Sequence, residues 1–236
     1  MSKSLFLAWQ DKGNSREWFP IGRLDADLGQ TSYRFRYTGG AERAQSEAGF
    51  PLLVEFPELD GDYRATRLFP LFRNRVINPG RSGREDYLRR LDLPLEADPF
   101  EILATNGGYR ATDAYEVFPK LMKAPDGSFK CRFFLHGWRY VNSAAQERLQ
   151  GLSQGDKLYL TLELTNPRTR FAIQIQTTDY HMIGWAPRYL VTDLVMAVTE
   201  KPRDYGAHVV RVNPPWPLRN SEFSSKCVAS GIGISP

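Results

Sequence analysis

The chain has 236 residues, of which 42% are hydrophobic and 25% are charged, and its formal net charge is +4. This composition is typical of an ordinary soluble protein with room for one large domain or two small ones. No apolar run approaches the roughly 20 residues of a membrane helix. The first residues become polar too early for a signal peptide, so we expect a cytoplasmic protein without a membrane partner.

The first predicted unit, residues 1–118, opens with three strand-like runs and continues with short helices. The strands are LFLAWQ, EWFPIGRL and YRFRYTGG; AERAQSEAGF is a helix that ends near Gly49. PLLVEFPEL is predicted as an edge strand or loop, LFPLFRNRVI as a helix or turn, and GREDYLRRLDL and DPFEILATNGG as helices. Asp98 and Pro99 form an N-cap and first helical position. AYEVF closes the unit as a strand, and residues 119–128 form a linker with a Pro-Asp-Gly turn.

Arginine is concentrated between Arg64 and Arg90. This segment holds eight arginines and no lysine, against two acidic residues, Glu85 and Asp86. One interpretation is a solvated helical face. The other is a surface for phosphates or for an acidic protein, because the guanidinium fork suits both. The candidate basic patch consists of Arg67, Arg73, Arg75, Arg81 and Arg84.

The second predicted unit, residues 129–213, alternates strands with two helices. The strands are FKCRFFLHG, DKLYLTLELT, RFAIQIQT, YHMIGWA and AHVVRVNP. VNSAAQERLQGL is a helix with Ser143 and Gln146 as a capping box, and PRYLVTDLVMAV is a helix opened by Pro187. Residues 214–236 are predicted to be a C-terminal tail, which is either disordered or wraps the surface.

The stretch HGWRYVN places Trp138, Arg139 and Tyr140 together between a strand and a helix. Two aromatic rings beside a guanidinium are compatible with a structural corner. They are equally compatible with a platform for a nucleic-acid base and its phosphate. The local sequence leaves both interpretations open.

From HGWRY to HMIGWAPRYLVTDLV, the second unit resembles a HIRAN domain, over roughly residues 130–200. The resemblance is carried by Asn166-Pro167 followed by Ala172-Ile173, and by Ile183-Gly184, Pro187-Arg188 and Leu190. It implies an OB-like β-barrel that binds single-stranded DNA or DNA ends. It also implies that Tyr140 stacks on a base and that Arg139 and Arg188 contact the DNA backbone. Trp138 belongs to the same candidate DNA-binding set, and Trp185 either stacks on a base or fills the mouth of the barrel.

One position departs from the family pattern. After Asn-Pro, the members that bind DNA ends carry an aromatic residue and an aspartate that contacts the terminal 3′-hydroxyl. This chain has Arg168 and Thr169 there. The change removes an acceptor for the hydroxyl and adds a cation, so we expect weaker selection for a free 3′ end and undiminished attraction to phosphate.

The first unit resembles the N-terminal subdomain of HipA-type toxin kinases. The phrases that carry this resemblance include YRFRYTGG, RLFPLFRNRVINPGR and DPFEILATNGGYRATDAYEVF. The catalytic kinase body is missing from this chain. The resemblance implies a subdomain that binds a protein partner, such as a HipA-type kinase or its DNA-binding antitoxin, in a bacterial toxin-antitoxin or defence system.

No arrangement of residues predicts catalysis. His136, His181 and His208 lack metal-ligand spacing, and Cys131 and Cys227 form no CxxC pair. No phosphate-binding glycine loop is present. We expect neither a metal nor a cofactor, and reduced cysteines.

The sequence therefore predicts a non-enzymatic, α+β but mostly β protein, with a HipA-N-like sheet-plus-helices unit followed by an OB-like HIRAN β-barrel. The predicted function is binding of single-stranded DNA or DNA ends, together with a protein partner. The alternative is an antitoxin-like regulatory subunit without DNA binding. A third possibility is that the arginine-rich segment makes the main contact with duplex DNA.

Overall fold

The computed structural model describes residues 2–27, 29, 31–110, 112–121, 129–167, 170–200, 206–212 and 231–235. The chain forms two compact units, Met1–Lys120 (unit 1) and Leu121–Pro236 (unit 2). Each unit is built on an antiparallel sheet with short helices, so the protein is mostly β. Within the described ranges, every helix falls short of the length and apolarity that crossing a membrane requires.

Unit 1 contains a five-stranded sheet in the order β4-β3-β2-β1-β5. Its elements are β1 Ser2–Gln10, β2 Trp18–Asp27, β3 Ser32–Tyr37, α1 Gly39–Ala48, β4 Tyr63–Ala65, α2 Pro70–Arg73, α3 Arg84–Arg90, α4 Pro99–Asn106 and β5 Tyr115–Phe118. The three predicted N-terminal strands and the cap at Asp98 are confirmed: the Asp98 carboxylate accepts from the Glu101 N–H at 2.8 Å. The short strand β4 was not predicted, because three residues are too few to show alternation.

Aromatic side chains fill the centre of unit 1. Phe35 on β3 stacks on Phe56 with ring centroids 4.0 Å apart and also contacts Phe72. The Tyr37 hydroxyl donates to the Phe56 carbonyl and accepts from the Leu53 N–H, both at 2.8 Å. The segment predicted as an edge strand or loop is thus a loop, held to the sheet by the hydroxyl of the half-buried Tyr37.

Arg75 belongs to this interior and not to a basic patch. Its side chain is 2% exposed and pairs with the Asp113 carboxylate. Its guanidinium also donates to the carbonyl oxygens of Gly108 at 2.8 Å and Leu71 at 3.0 Å. Because these acceptors use its donors inside the protein, Arg75 is removed from the predicted phosphate-binding set.

Unit 2 contains a six-stranded sheet in the order β6-β11-β10-β7-β8-β9. Its elements are β6 Cys131–Phe134, α5 Ser143–Gln150, β7 Lys157–Asn166, β8 Arg170–Thr177, β9 Met182–Trp185, α6 Val191–Glu200, β10 Gly206–Arg211 and β11 Gly231–Ser235. His136, just after β6, exchanges two backbone hydrogen bonds of 2.9 Å with Trp185 on β9. The two edges of the sheet therefore meet, which gives the unit a barrel-like form.

Strand β11 lies within the predicted C-terminal tail, residues 214–236, whose order the sequence left open. Residues 231–234 pair with β6, and the same strand pairs with β10 on its other side. Sequence patterning missed it because Gly-Ile-Gly-Ile-Ser has only two apolar side chains, and its partners are remote in sequence. Residues 213–230, like most of the predicted linker, lie outside the described residues.

The end of the β7–β8 hairpin extends beyond the hydrophobic core of the barrel. Leu158 is buried, whereas Leu162 and Leu164, which follow it at even spacing along β7, are 44% and 59% exposed. Phe171 is likewise 56% exposed, although Ile173 and Ile175 on its strand are buried. The alternation was read correctly, but alternation does not reveal where a strand leaves the core.

The N-cap of α5 also differs from the prediction. Asn142, not Ser143, accepts the N–H of Ala145 at 2.8 Å through its side chain. The Gln146 amide donates instead to the Val141 carbonyl at 3.0 Å. Asparagine is at least as good an N-cap as serine, and with Asn142 as the cap the helix begins at Ser143, one residue earlier than the serine cap predicted.

We expect Cys131 to be unreactive in the folded protein. Burial, with a smaller contribution from Asp193, raises the pKa of the Cys131 thiol to about 12. Since the thiolate is the nucleophile, iodoacetamide at pH 8 should label a Cys227→Ser variant far more slowly in its native state than in guanidinium chloride. Equal labelling rates in the two states would contradict this assignment.

Candidate nucleic-acid interface

The HGWRYVN stretch forms a single 3-10 turn, Trp138–Tyr140, beside the closure of the barrel. Gly137 starts the turn with φ +68°, and its carbonyl accepts the Tyr140 N–H at 2.9 Å. The Gln146 amide of α5 donates to the carbonyl of Arg139 at 3.3 Å as well as to that of Val141. The turn is thus fixed from both ends, which limits the conformational entropy that binding would cost.

The turn presents an aromatic ring and a cation to solvent. The Tyr140 side chain is 85% exposed. The Arg139 guanidinium carbon lies 5.1 Å from the centre of the half-buried Trp138 ring, within cation–π range. Trp138 therefore supports Arg139, while Tyr140 leaves most of its ring surface uncovered.

Trp185 packs directly against this turn. A side chain at Gly137 would place its Cβ 2.4 Å from Cε3 of the Trp185 ring, so glycine is required there for space as well as for its positive φ. The Trp185 indole N–H donates to the Glu163 carboxylate at 2.9 Å. The ring is held at a fixed orientation, half-buried, next to Trp138 and Tyr140.

Glu163 on β7 fixes the orientation of the Trp185 ring through this hydrogen bond. Burial raises its pKa, but hydrogen bonds from Asn166, Trp185 and Gln174 outweigh that effect and leave the pKa below its usual range. The carboxylate is therefore charged at neutral pH. Sequence analysis missed Glu163, since nothing local distinguishes it from other polar residues of an alternating strand.

Arg188 lies on the next turn along the chain. It begins the 3-10 turn Arg188–Leu190, which leads into α6, so it precedes the helix instead of opening it. Its neighbour Tyr189 meets His136 edge-on, with ring centroids 6.3 Å apart. Through His136, this turn lies beside the same barrel closure as Trp185.

The predicted site residues thus fall into three groups. Trp138, Arg139, Tyr140 and Trp185 are brought together, and Arg188 lies on the adjoining turn. Arg168 lies outside the described residues. In unit 1, Arg67, Arg73 and Arg81 are exposed, whereas Arg84 donates to the carbonyls of Leu95 at 2.7 Å and Ala97 at 3.3 Å and so stabilises a loop.

The described part of the chain contains no candidate metal site. No group of three or more His, Cys, Asp or Glu side chains there could hold a metal ion. Asp179 and His181 lie just before β9 and already have partners. Asp179 pairs with Arg148 of α5 at 2.9 Å, and the His181 N–H donates to the Thr177 hydroxyl at 3.0 Å. What the site offers is exposed aromatic surface and positive charge.

Comparison with known proteins finds a family match for part of the chain. Residues 128–226 match the model of the HIRAN domain, which confirms that part of the sequence prediction. Two solved structures resemble the chain. A protein from Lactobacillus plantarum is 16% identical with a TM-score of 0.33, covering 46% of this chain and 96% of its own. The HIRAN domain of human HLTF is 14% identical with a TM-score of 0.33, covering 48% and 80% respectively. No match is found among curated proteins.

Proposed function

We propose that this protein, whose residues 128–226 match a HIRAN domain, is a non-enzymatic binder of single-stranded DNA or DNA ends. The observation that carries the proposal is the rigid turn that exposes 85% of Tyr140 beside Arg139 and against Trp185. A stacked base would cover the ring, and Arg139 would meet the adjacent phosphate. Arg188 adds positive charge on the neighbouring turn.

The energetics favour this use of the turn. Stacking of a base on an aromatic side chain is worth about 1–3 kcal/mol and is tolerant of sequence, because every base has a π-face. An exposed tyrosine on a preorganised turn gains that energy without having to order itself first. The Tyr140 side chain contributes little to the stability of the fold, because it buries only a small part of its ring.

The test is fluorescence anisotropy of labelled single strands and blunt duplex at several salt concentrations. We expect single strands to bind more tightly, with log affinity falling linearly with log salt. Tyr140→Ala should weaken binding about 5- to 150-fold, the equivalent of one lost stacked base. Arg139→Ala should reduce the salt slope by about one phosphate contact.

Matched variants separate the contact from general effects. Tyr140→Phe keeps the ring and should bind like the wild type, and Tyr109→Ala removes a tyrosine of unit 1 that is 38% exposed. Strands ending in a 3′-hydroxyl or a 3′-phosphate should bind alike if Arg168 and Thr169 have relaxed end selection. Absence of binding at micromolar protein, or equal affinity of Tyr140→Ala and Tyr109→Ala, contradicts the proposal.

A protein-binding role for unit 1 is the second candidate. It is favoured by the exposed Arg67, Arg73 and Arg81, and by Val54, whose side chain is 98% exposed. The first unit also resembles the N-terminal subdomain of HipA-type kinases. These exposed residues therefore suit a protein partner such as a HipA-type kinase in a bacterial cytoplasm. If a partner protein still co-purifies after substitution of the three arginines and Val54, these residues do not form the protein-binding surface. Binding of a partner protein by a chain that has no affinity for DNA would favour the antitoxin-like alternative.

A further inference from the structure

We infer that Tyr180, Tyr159 and Lys157 form a second base-stacking subsite on the outer face of the barrel, for the same DNA strand that contacts Tyr140. This inference rests on the proposed function. It concerns residues of unit 2 that lie in segments predicted as strands, DKLYLTLELT and YHMIGWA, and that are not among the predicted site residues. It extends the interface from one turn to a path along the sheet.

Tyr180 occupies a strained and exposed position. Its φ is +64°, a backbone region that costs a non-glycine residue on the order of 1 kcal/mol. Its side chain is nevertheless 75% exposed, so burial of the ring does not offset this strain. A strained residue that gains little from packing is a reason to look for a functional role.

The loop that carries Tyr180 is firmly fixed. The Thr177 N–H donates to the His181 carbonyl at 3.0 Å, and the Tyr180 N–H donates to the Thr177 carbonyl at 2.9 Å. The Thr177 hydroxyl, in a residue that is 1% exposed, accepts the His181 N–H at 3.0 Å. The ring is consequently presented in one orientation, as the Tyr140 ring is.

A second ring and a cation adjoin it. Tyr159 on β7 lies parallel to Tyr180 within 24°, with ring centroids 5.9 Å apart. The Lys157 ammonium lies 5.7 Å from the centre of the Tyr159 ring. The neighbouring carboxylate of Asp179 is paired with Arg148, so its charge is compensated. Two aromatic faces and an ammonium match a base and its phosphate.

The two platforms share one face of the sheet. Along β8, Ile173, Ile175 and Thr177 are buried, so Gln174 and Gln176 point outward. Trp185 is paired with Gln174, and Tyr159 is paired with Gln176. Trp185 and Tyr159 therefore both point outward.

Their separation suits a single strand. The backbone positions of Trp185 and Tyr159 are separated by two strand spacings across the sheet and by two residues along it, which together give about 12 Å. At about 3.4 Å per nucleotide of a stacked strand, this distance corresponds to about four nucleotides, the lower end of the about 4–16 nucleotides that an OB-like fold contacts. Between the platforms lie the amides of Gln174 and Gln176, joined by a 3.3 Å hydrogen bond. These amides are neutral, and the negative charge of Glu163 at the Trp185 end of the path is engaged by hydrogen bonds from Trp185, Asn166 and Gln174.

The test compares oligothymidylates of about 3 and about 10 nucleotides, lengths below and within the site size of an OB-like fold. Tyr180→Ala should weaken binding of the long strand about 5- to 150-fold and leave the short strand unaffected, because only the long strand reaches both platforms. Tyr140→Ala should weaken both. Tyr180→Phe should match the wild type, and Lys157→Gln should lower the salt slope for the long strand only.

Each outcome is decisive. If Tyr180→Ala binds the long strand like the wild type while Tyr140→Ala does not, the second subsite is refuted and the proposed function stands. If no strand binds the wild type, both fail together. Thermal unfolding of Tyr180→Ala and Tyr180→Phe should agree with that of the wild type, because the ring is exposed; if only the alanine variant unfolds early, the tyrosine pair is structural and the inference is overturned.

Discussion

Replacing Arg75 with methionine is expected to lower the free energy of unfolding of unit 1 by about 3–5 kcal/mol, the cost of removing one partner of a buried ion pair. The Arg75 side chain is 2% exposed and that of Asp113 is 23% exposed. Removal of the guanidinium leaves the carboxylate without its partner, and the carbonyls of Gly108 and Leu71 without their donor. Natural domains have only about 5–15 kcal/mol of stability, so this loss is large.

Two units in one chain make a single unfolding midpoint hard to interpret. Hydrogen exchange followed by mass spectrometry reports on each unit separately and is the measurement of choice, with peptides from β1 to β3 as the readout. Arg73→Met is the matched control: it lies two residues away and is exposed, so it should change stability by less than about 0.5 kcal/mol. Equal protection in the two variants would show that Arg75 is not a structural residue.

The second large effect is expected from Gly184→Ala in the barrel closure. The new Cβ would lie 2.6 Å from the His136 carbonyl oxygen and 2.8 Å from Cγ of Leu135. Because one of these atoms is backbone, β9 or the segment after β6 must move. We expect a loss near the upper end of the about 1–3 kcal/mol typical of overpacking.

The same substitution should also weaken DNA binding under conditions in which the protein remains folded. The His136–Trp185 hydrogen bonds join the turn that carries Tyr140 to the strand that carries Trp185, so a shift there misaligns both rings. Gly155→Ala is the control, since Gly155 has a positive φ of 90° but open space around its Cβ position. It should retain full affinity at a modest cost in stability. Intact binding by Gly184→Ala would mean that the closure does not position the site.

Much of the local structure was predictable because it depends on neighbours in sequence. Alternating apolar residues marked most strands of both units, and Asp98 with Pro99 marked the start of α4. The HIRAN domain was recognisable from Asn166-Pro167 and Ile183-Gly184 with Pro187-Arg188, since these local phrases stand in a fixed order. The Trp138–Tyr140 turn was identified as unusual from its composition alone.

The rest depended on contacts between residues far apart in the chain. The burial of Arg75 requires Asp113, the orientation of Trp185 requires Glu163, and β11 is defined only by pairing with β6 and β10. Tyr180, predicted to begin a strand, lies instead before β9, and its ring adjoins that of Tyr159. The sequence by itself determined most of the strands and helices, though not β4 or β11, and it determined which residue types are available for stacking and charge. Only the tertiary structure decided which arginines are buried and which rings share a face, because both depend on packing between segments that have no local relation.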